Sequence, residues 1–150
     1  MPSFEERSVV LVGGGIIGLL SAYGLAANGM RVTLFEASET GTEASWAGGG
    51  IVSPLYPWRY SASISALAHW SQDYYPKLGE ALKQQSGVDP EVHETGLYWL
   101  DLEDEDQALA WARRHGRPLH PVDMEQVHAA VPSLGEGFSK AVYMPGVANV

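Results

Sequence analysis

The sequence predicts an α/β fold that opens with a strand–helix–strand unit and continues as a less regular mixture of helices and strands. Three observations carry this. Val9–Val12 is a short apolar run rich in β-branched residues, as expected of a buried strand. Gly13, Gly15 and Gly18 follow as G-x-G-x-x-G where that strand should turn into a helix. Arg31–Phe35 then reads as a second strand, and Glu36 stands at its carboxyl end, 18 residues after Gly18. Strand, glycine turn, helix, strand and acid form the unit that holds the adenosine half of a dinucleotide.

Each residue type has a physical task. Gly13 permits the tight turn out of the strand. Gly15 has no Cβ, so the backbone can approach a pyrophosphate closely. Gly18 lets the helix pack against the strands. Ile16 and Ile17 begin the helix, whose free N–H groups and positive dipole end attract phosphate. Ile17, Leu20, Tyr23 and Leu25 continue at helical spacing, and Gly29 stops the helix. Glu36 can accept hydrogen bonds from ribose hydroxyls and would repel a 2′-phosphate, which disfavours NADP. A lone glycine motif is weak, but here the flanking elements and the acid agree with it. The motif does not separate FAD from NAD.

Beyond Glu36 the chain reads ASETGTEASWAGGGIVSPLYPWRY, dense in small residues, with a second glycine cluster at Gly48, Gly49 and Gly50. It is either a long surface loop or a binding segment lying over something flat and apolar. Ser61–Gln85 has helical periodicity. Its stripe of Ile64, Leu67, Ala68, Trp70, Ser71, Tyr74, Leu78 and Leu82 is expected to pack in the core, and Pro76 to kink or divide the helix. Gly87 ends it, and Val88-Asp89-Pro90 is a turn. Thr95–Leu102 reads as a strand. Glu103–Asp106 places four carboxylates before a helix over Ala108–His115, where the dipole favours them. A paired-carboxylate catalytic site is the sharper alternative there. Gly116 closes that helix. Asp123 with Gln126 forms a capping box for a short helix ending before Pro132. Ser139–Tyr143 is a strand, and Met144-Pro145-Gly146 a turn. Only two adjacent strands of a doubly wound sheet are recognisable.

Composition narrows the function classes. The chain has 150 residues, 45% hydrophobic, which suffices for one core of ordinary size. Its net charge of −9 argues against nucleic acid or an anionic membrane as the main partner. With no cysteine, disulfides, thiolate metal sites and a cysteine nucleophile are excluded. His69, His93, His115, His120 and His128 form no metal-ligand spacing, so they read as surface or packing residues and no metal is expected. Val9–Met30 carries 22 uncharged residues, enough to cross a bilayer, but six are glycines and a strand follows at once. Glu5 and Glu6 occupy the place where a signal peptide would be basic. A cytoplasmic protein without membrane segments is the expectation.

Three stretches resemble the D-amino-acid-oxidase superfamily of FAD-dependent amine oxidases, and within it the glycine oxidases of thiamine biosynthesis. They are VVLVGGGIIGLLSAYGLAANGMRVTLFEA at 9–37, TEASWAGGGIVSPLYPWRY at 42–60, and the run from GVDPEVHETGLYWL to AVYMPGVANV at 87–150. The second stretch looks like the second flavin-binding loop of those oxidases, and it decides FAD over NAD. The resemblance implies the N-terminal part of a Rossmann-like FAD-binding domain over 1–87 and the start of an α+β substrate domain over 88–150.

Carried over by position, Ile16 and Ile17 would contact the pyrophosphate through the backbone, and Glu36 the ribose with Ala37 beside it. Glu43 and Ala44 would line the diphosphate, and Gly48, Gly49 and Gly50 the ribityl chain and flavin ring. A carboxylate beside a diphosphate is repelled, so any contact of Glu43 should run through its amide. The resemblance implies oxidation of glycine or another small amine to an imine, with oxygen as acceptor. A dehydrogenase using another acceptor and a non-catalytic dinucleotide-binding module are the rivals. No catalytic residue is assigned. The substrate arginine and active-site tyrosine of such enzymes are expected beyond Val150, and Arg59 and Tyr60 do not stand for them. The chain is accordingly expected to be an N-terminal piece, inactive alone, of a protein that can form homo-oligomers.

Overall fold

The computed structural model describes residues 7–150. Glu5 and Glu6, on which the signal-peptide reading turned, lie outside the described residues. The chain divides into two compact units, 1–49 and 50–150. The break falls well before the 87/88 boundary between flavin and substrate parts, which concerns function and returns below as a proposal.

The first unit is the expected strand–helix–strand. Strands β1 (Ser8–Val12) and β2 (Arg31–Phe35) pair in parallel, with Val9 opposite Val32 and Leu11 opposite Leu34. Helix α1 (Ile16–Ala27) connects them. The 22 uncharged residues are therefore shared among a strand, a turn and a helix. Among the described residues no helix is long and apolar enough to cross a membrane. Side chains alternate along the strands. Val9, Leu11, Val32 and Leu34 lie on the half-buried face, which packs on α1. The other face bears Val10, Val12 and Phe35, which are 63%, 86% and 59% exposed.

The second unit holds the packed core. Strand β3 (Ile51–Val52) leads to a 3₁₀ turn, Pro57–Arg59, and then to α2 (Ala62–Ser86). Strands β4 (His93–Glu94) and β5 (Leu97–Leu100) precede α3 (Glu105–His115). After these come β6 (His120–Val122), α4 (Met124–Ala130), β7 (Ala141–Met144) and β8 (Ala148–Asn149). One antiparallel sheet has the order β3-β8-β4, the other β5-β7-β6. Trp99, Val142 and Met144 from the second sheet meet Ala108, Trp111 and Ala112 of α3, with Leu102, Leu119 and Val147 completing the cluster. Trp58 enters it edge-on to Trp99, ring centroids 5.5 Å apart.

Four expectations need correction. Pro76 does not divide α2, which runs as one helix of 25 residues. An interior proline removes one N–H from the ladder and crowds the carbonyl four residues before it, which can bend a helix without ending it. The α2 stripe is core only in part: Leu78 is buried and Ala68, Ser71 and Leu82 are half-buried, but Ile64, Leu67, Trp70 and Tyr74 are 50%, 69%, 62% and 39% exposed, and Ser65 and Gly79, outside the stripe, are buried. A Cβ on Gly79 would come within 2.7 Å of Val92 Cγ2, so the helix lies against the 88–92 turn at its glycine rather than along its aromatic face. The Asp123 side chain makes no capping bond; its backbone carbonyl takes the Gln126 and Val127 amides instead, at 3.0 and 3.2 Å. The strand expected over Thr95–Leu102 is shortened to Leu97–Leu100. Gly96 and Asp101 bound it with φ of 76° and 46°, values no strand accommodates.

Candidate dinucleotide site

The glycine turn is built as its sequence suggests. The Gly13 amide closes onto the Phe35 carbonyl at 2.8 Å, tying the turn to the end of β2. Its φ of 104° is accessible to glycine and strained for any other residue. A Cβ on Gly18 would run into the Gly13 carbonyl, so the third glycine is required by the turn as much as by the strands. Gly15 is the N-cap of α1, and a Cβ there would stand 3.0 Å from Ser45 Oγ.

Glu36 lies beside the turn, as its spacing predicts. Its Oε2 accepts the Gly14 amide at 2.5 Å, and Oε1 accepts those of Ala37 and Ser38 at 2.7 and 3.1 Å. These bonds, that from Gly14 foremost, hold the carboxyl below the usual carboxylate range. An ionised carboxylate offers about four lone-pair sites. Three amides occupy three of them, leaving acceptor capacity for one hydroxyl.

Loop 40–48 folds back over the same turn. The Gly41 amide donates to the Gly14 carbonyl at 2.9 Å, and Ser45 Oγ accepts the Ile16 amide at 2.9 Å. Glu43 and Ala44 are exposed in this loop, and the Glu43 carbonyl takes the Trp46 and Ala47 amides at 3.1 and 3.3 Å. The Ile16 N–H is thus engaged by a hydroxyl 29 residues away, whereas Ile17 and Gly18 stand in the first turn, where the helix itself supplies no acceptor. Amides free of intrahelical partners, the positive end of the dipole and glycines that bring the backbone close suit a phosphate group, so these residues fit a dinucleotide.

The second glycine cluster is not uniform. A Cβ on Gly48 would lie 3.3 Å from the Ser45 carbonyl, while one on Gly49 would meet nothing within 4 Å. Gly50 belongs to the second unit, where its φ is 69° and a Cβ would collide with the Val150 carbonyl. The missing side chain at Gly50 therefore has a local explanation, and that at Gly49 has none among the described residues.

Gly14 and Ser45 were missed in the sequence. The middle glycine of a run carries no motif signal, although its burial and its place opposite Glu36 follow once the turn is built. A serine in a small-residue loop is equally mute. Two carboxylates of the acidic run are held in ion pairs, Asp104 with Arg59 at 2.7 Å and Glu105 with Lys140 at 2.8 Å.

A strand–helix–strand unit whose glycine turn fits a dinucleotide, followed along the chain by a mixed α+β unit, suits a dinucleotide-dependent protein, and comparison with known proteins places the chain. It matches the FAD dependent oxidoreductase family over residues 8–150 and belongs to it. It is 66% identical to the glycine oxidase of Pseudomonas aeruginosa over 97% of its own length and 40% of the relative's. For the glycine oxidase of Pseudomonas putida the identity is 64%, again over 97% and 40%. The crystal structure of glycine oxidase from Geobacillus kaustophilus superposes with a TM-score of 0.84 at 30% identity, covering 96% of this chain and 41% of that one. The chain thus spans about 40% of the length of the curated relatives it matches. FAD is the cofactor of the family, which resolves the choice that the glycine motif alone leaves open.

Proposed function

We propose that the chain carries the adenosine- and pyrophosphate-binding part of an FAD-dependent oxidase acting on glycine or a similarly small amino acid, with oxygen as electron acceptor. The observation that carries this reading is the 66% identity to a glycine oxidase across nearly the whole chain, joined to a glycine turn and Glu36 in mutual hydrogen bonding. A role in thiamine biosynthesis and a cytoplasmic location accompany the glycine-oxidase reading. Residues 1–87 would serve the flavin part, and 88–150 would open the substrate part.

When bound, FAD supplies the redox step, removing two electrons from the substrate and handing them to oxygen. The chain's residues bind and orient. The Ile17 and Gly18 amides would face the diphosphate, and the ionised Glu36 would accept a ribose hydroxyl while keeping Gly14 in place. Ala37, Glu43 and Ala44 would flank these groups through backbone atoms. Gly48, Gly49 and Gly50 would let the backbone approach the ring system. The substrate loses its α-hydrogen and an N–H proton to become an imine, oxygen becomes hydrogen peroxide, and water converts the imine to the oxo acid and ammonia. The groups that hold the substrate carboxylate are expected outside these 150 residues.

The test is a graft in which this chain replaces the corresponding residues of the Pseudomonas aeruginosa enzyme. The graft should retain flavin through purification and release peroxide on addition of glycine. The 150 residues alone, with FAD added, should give no more peroxide than free flavin. Loss of flavin from a folded graft would overturn the cofactor assignment. Glycine-dependent peroxide from the 150 residues alone would show that the substrate groups lie within them.

A further inference from the structure

The segment between β3 and α2 is held at one point by an unusually complete set of bonds. Asp104, at the N-cap of α3, accepts Trp58 Nε1 at 2.7 Å on Oδ2. Arg59 adds a bidentate pair, Nε to Oδ2 at 2.8 Å and Nη2 to Oδ1 at 2.7 Å. Charge-assisted, two-pronged contacts of this kind are the strong class of hydrogen bond, and they fix geometry as well as energy. The Arg59 guanidinium also lies over the Tyr56 ring, 4.2 Å from its centroid. The Asp104 carboxylate is only 18% exposed, so water competes weakly for it.

Three residues before Trp58 the backbone is strained. Leu55 has a φ of 56°, the left-handed region that a branched, Cβ-bearing residue avoids. Next to it the Tyr56 amide closes a tight turn onto the Pro54 carbonyl at 2.6 Å. The buried Ser53 hydroxyl finds no partner among the described residues. Such strain persists only where the surroundings over-determine the conformation. Here the two ends are determined separately. Pairing of β3 with β8 holds Ile51 and Val52, and Asp104 holds Trp58 and Arg59.

We propose that Asp104 is a latch: its bonds to Trp58 and Arg59 hold residues 53–60 against the strained turn at Leu55, and so position the segment that leads directly out of the Gly48–Gly50 cluster. The link to turnover rests on the flavin-side placement of that cluster proposed above. Asp104 touches no reacting group in this scheme; it acts through Trp58 and Arg59.

The test uses the same graft and follows backbone hydrogen exchange, with residues 141–144 of the core strand as an internal reference. Asp104→Ala should speed exchange over 53–60 by about tenfold or more, since charge-assisted bonds are lost, and leave 141–144 unchanged. Arg59→Gln, at a half-exposed position and sparing the α3 cap, should act in the same direction. Leu55→Asn should slow exchange over 53–60, because asparagine tolerates the left-handed region. In Asp104→Ala, KM for glycine should rise about fivefold with kcat within about twofold and flavin content unchanged, as when binding alone is weakened. Unchanged exchange over 53–60 in both charge variants would overturn the latch, as would an equal rise at 141–144 in Arg59→Gln. Faster exchange with an unaltered KM would overturn its positioning role. An unmodified graft without flavin would instead sink the flavin reading and leave the exchange results to stand for the latch.

Discussion

Val12 and Val142 are both valines in short apolar strands, yet Val12 is 86% exposed and Val142 only 1%. The difference lies in what each strand faces. In the second unit, one side of the β5-β7-β6 sheet meets α3, and its side chains interdigitate with Trp111, Ala108 and Trp58. The first unit has one helix for a sheet with two faces. The helix covers Val9, Leu11, Val32 and Leu34, and the opposite face bearing Val10, Val12 and Phe35 stays open. An apolar strand records a demand for cover, and only the surrounding chain shows whether the demand is met. The second unit has its own uncovered apolar face along α2, at Leu67 and Trp70, but its sheet is covered.

The largest expected effect breaks the comparison at the site. Gly15→Leu should remove flavin from the grafted enzyme, weakening binding by about 3 kcal/mol or more, because contacts to charged groups contribute roughly 1.5–3 kcal/mol each. Flavin absorbance of the purified variant is the measurement, and unchanged content would count against the site. The fold should survive, with a modest loss of stability, since a side chain at Gly15 crowds the Ser45 hydroxyl that accepts the Ile16 amide.

Stability separates the two units next. Trp99→Ala, in the packed core, should cost about 3–5 kcal/mol in urea unfolding. Val12→Ala in the 150-residue chain should stay within about 0.5 kcal/mol. The comparison sharpens in the graft, where further chain is present: there Val12→Ala should cost more than about 1 kcal/mol if that face is covered. An equally small cost in both settings would mean that the face remains in water.

Within the first unit the glycines should divide. Gly18→Ala forces a methyl into the Gly13 carbonyl and should destabilise the turn by about 1–3 kcal/mol. Gly49→Ala meets nothing and should fall within about 0.5 kcal/mol, although the proposed ring contact predicts weaker flavin retention. A Gly49→Ala graft with full flavin content would remove Gly49 from the site.

The smallest effect is in acid. Asp104, held mainly by Arg59 with a further bond from Trp58, titrates at about 2 against an ordinary 3.8. A carboxyl depressed in the folded state stabilises it fully above its unfolded value and loses that contribution as pH falls through the folded one. The latch should therefore be pH-independent above about 4 and loosen between about 4 and 2. Glu36, depressed by its three amide bonds, has the same sign in the other unit. Asp104→Asn should flatten the acid limb for the second unit alone, read by Trp fluorescence. An unchanged limb would place the acid sensitivity elsewhere.

Much of this molecule was legible in one dimension. The strand, glycine turn, helix and second strand were, because each depends on short-range rules: β-branching, the positive φ at Gly13, helical spacing and the stop at Gly29. The position of Glu36 beside the turn was legible too, since parallel pairing brings the ends of β1 and β2 to the same edge. Only the tertiary structure decided the rest. The α2 periodicity declared an apolar face but not whether a layer exists to bury it, and Trp70 and Leu67 remain exposed. The two-residue strands Ile51–Val52, His93–Glu94 and Ala148–Asn149 have no local signature, because each exists only through pairing with a distant one. Gly14, Ser45 and Asp104 gained their roles from partners 22, 29 and 45 residues away. Loop closure over such spans depends on the packing of the whole unit, and no local spacing records which side chains it brings together.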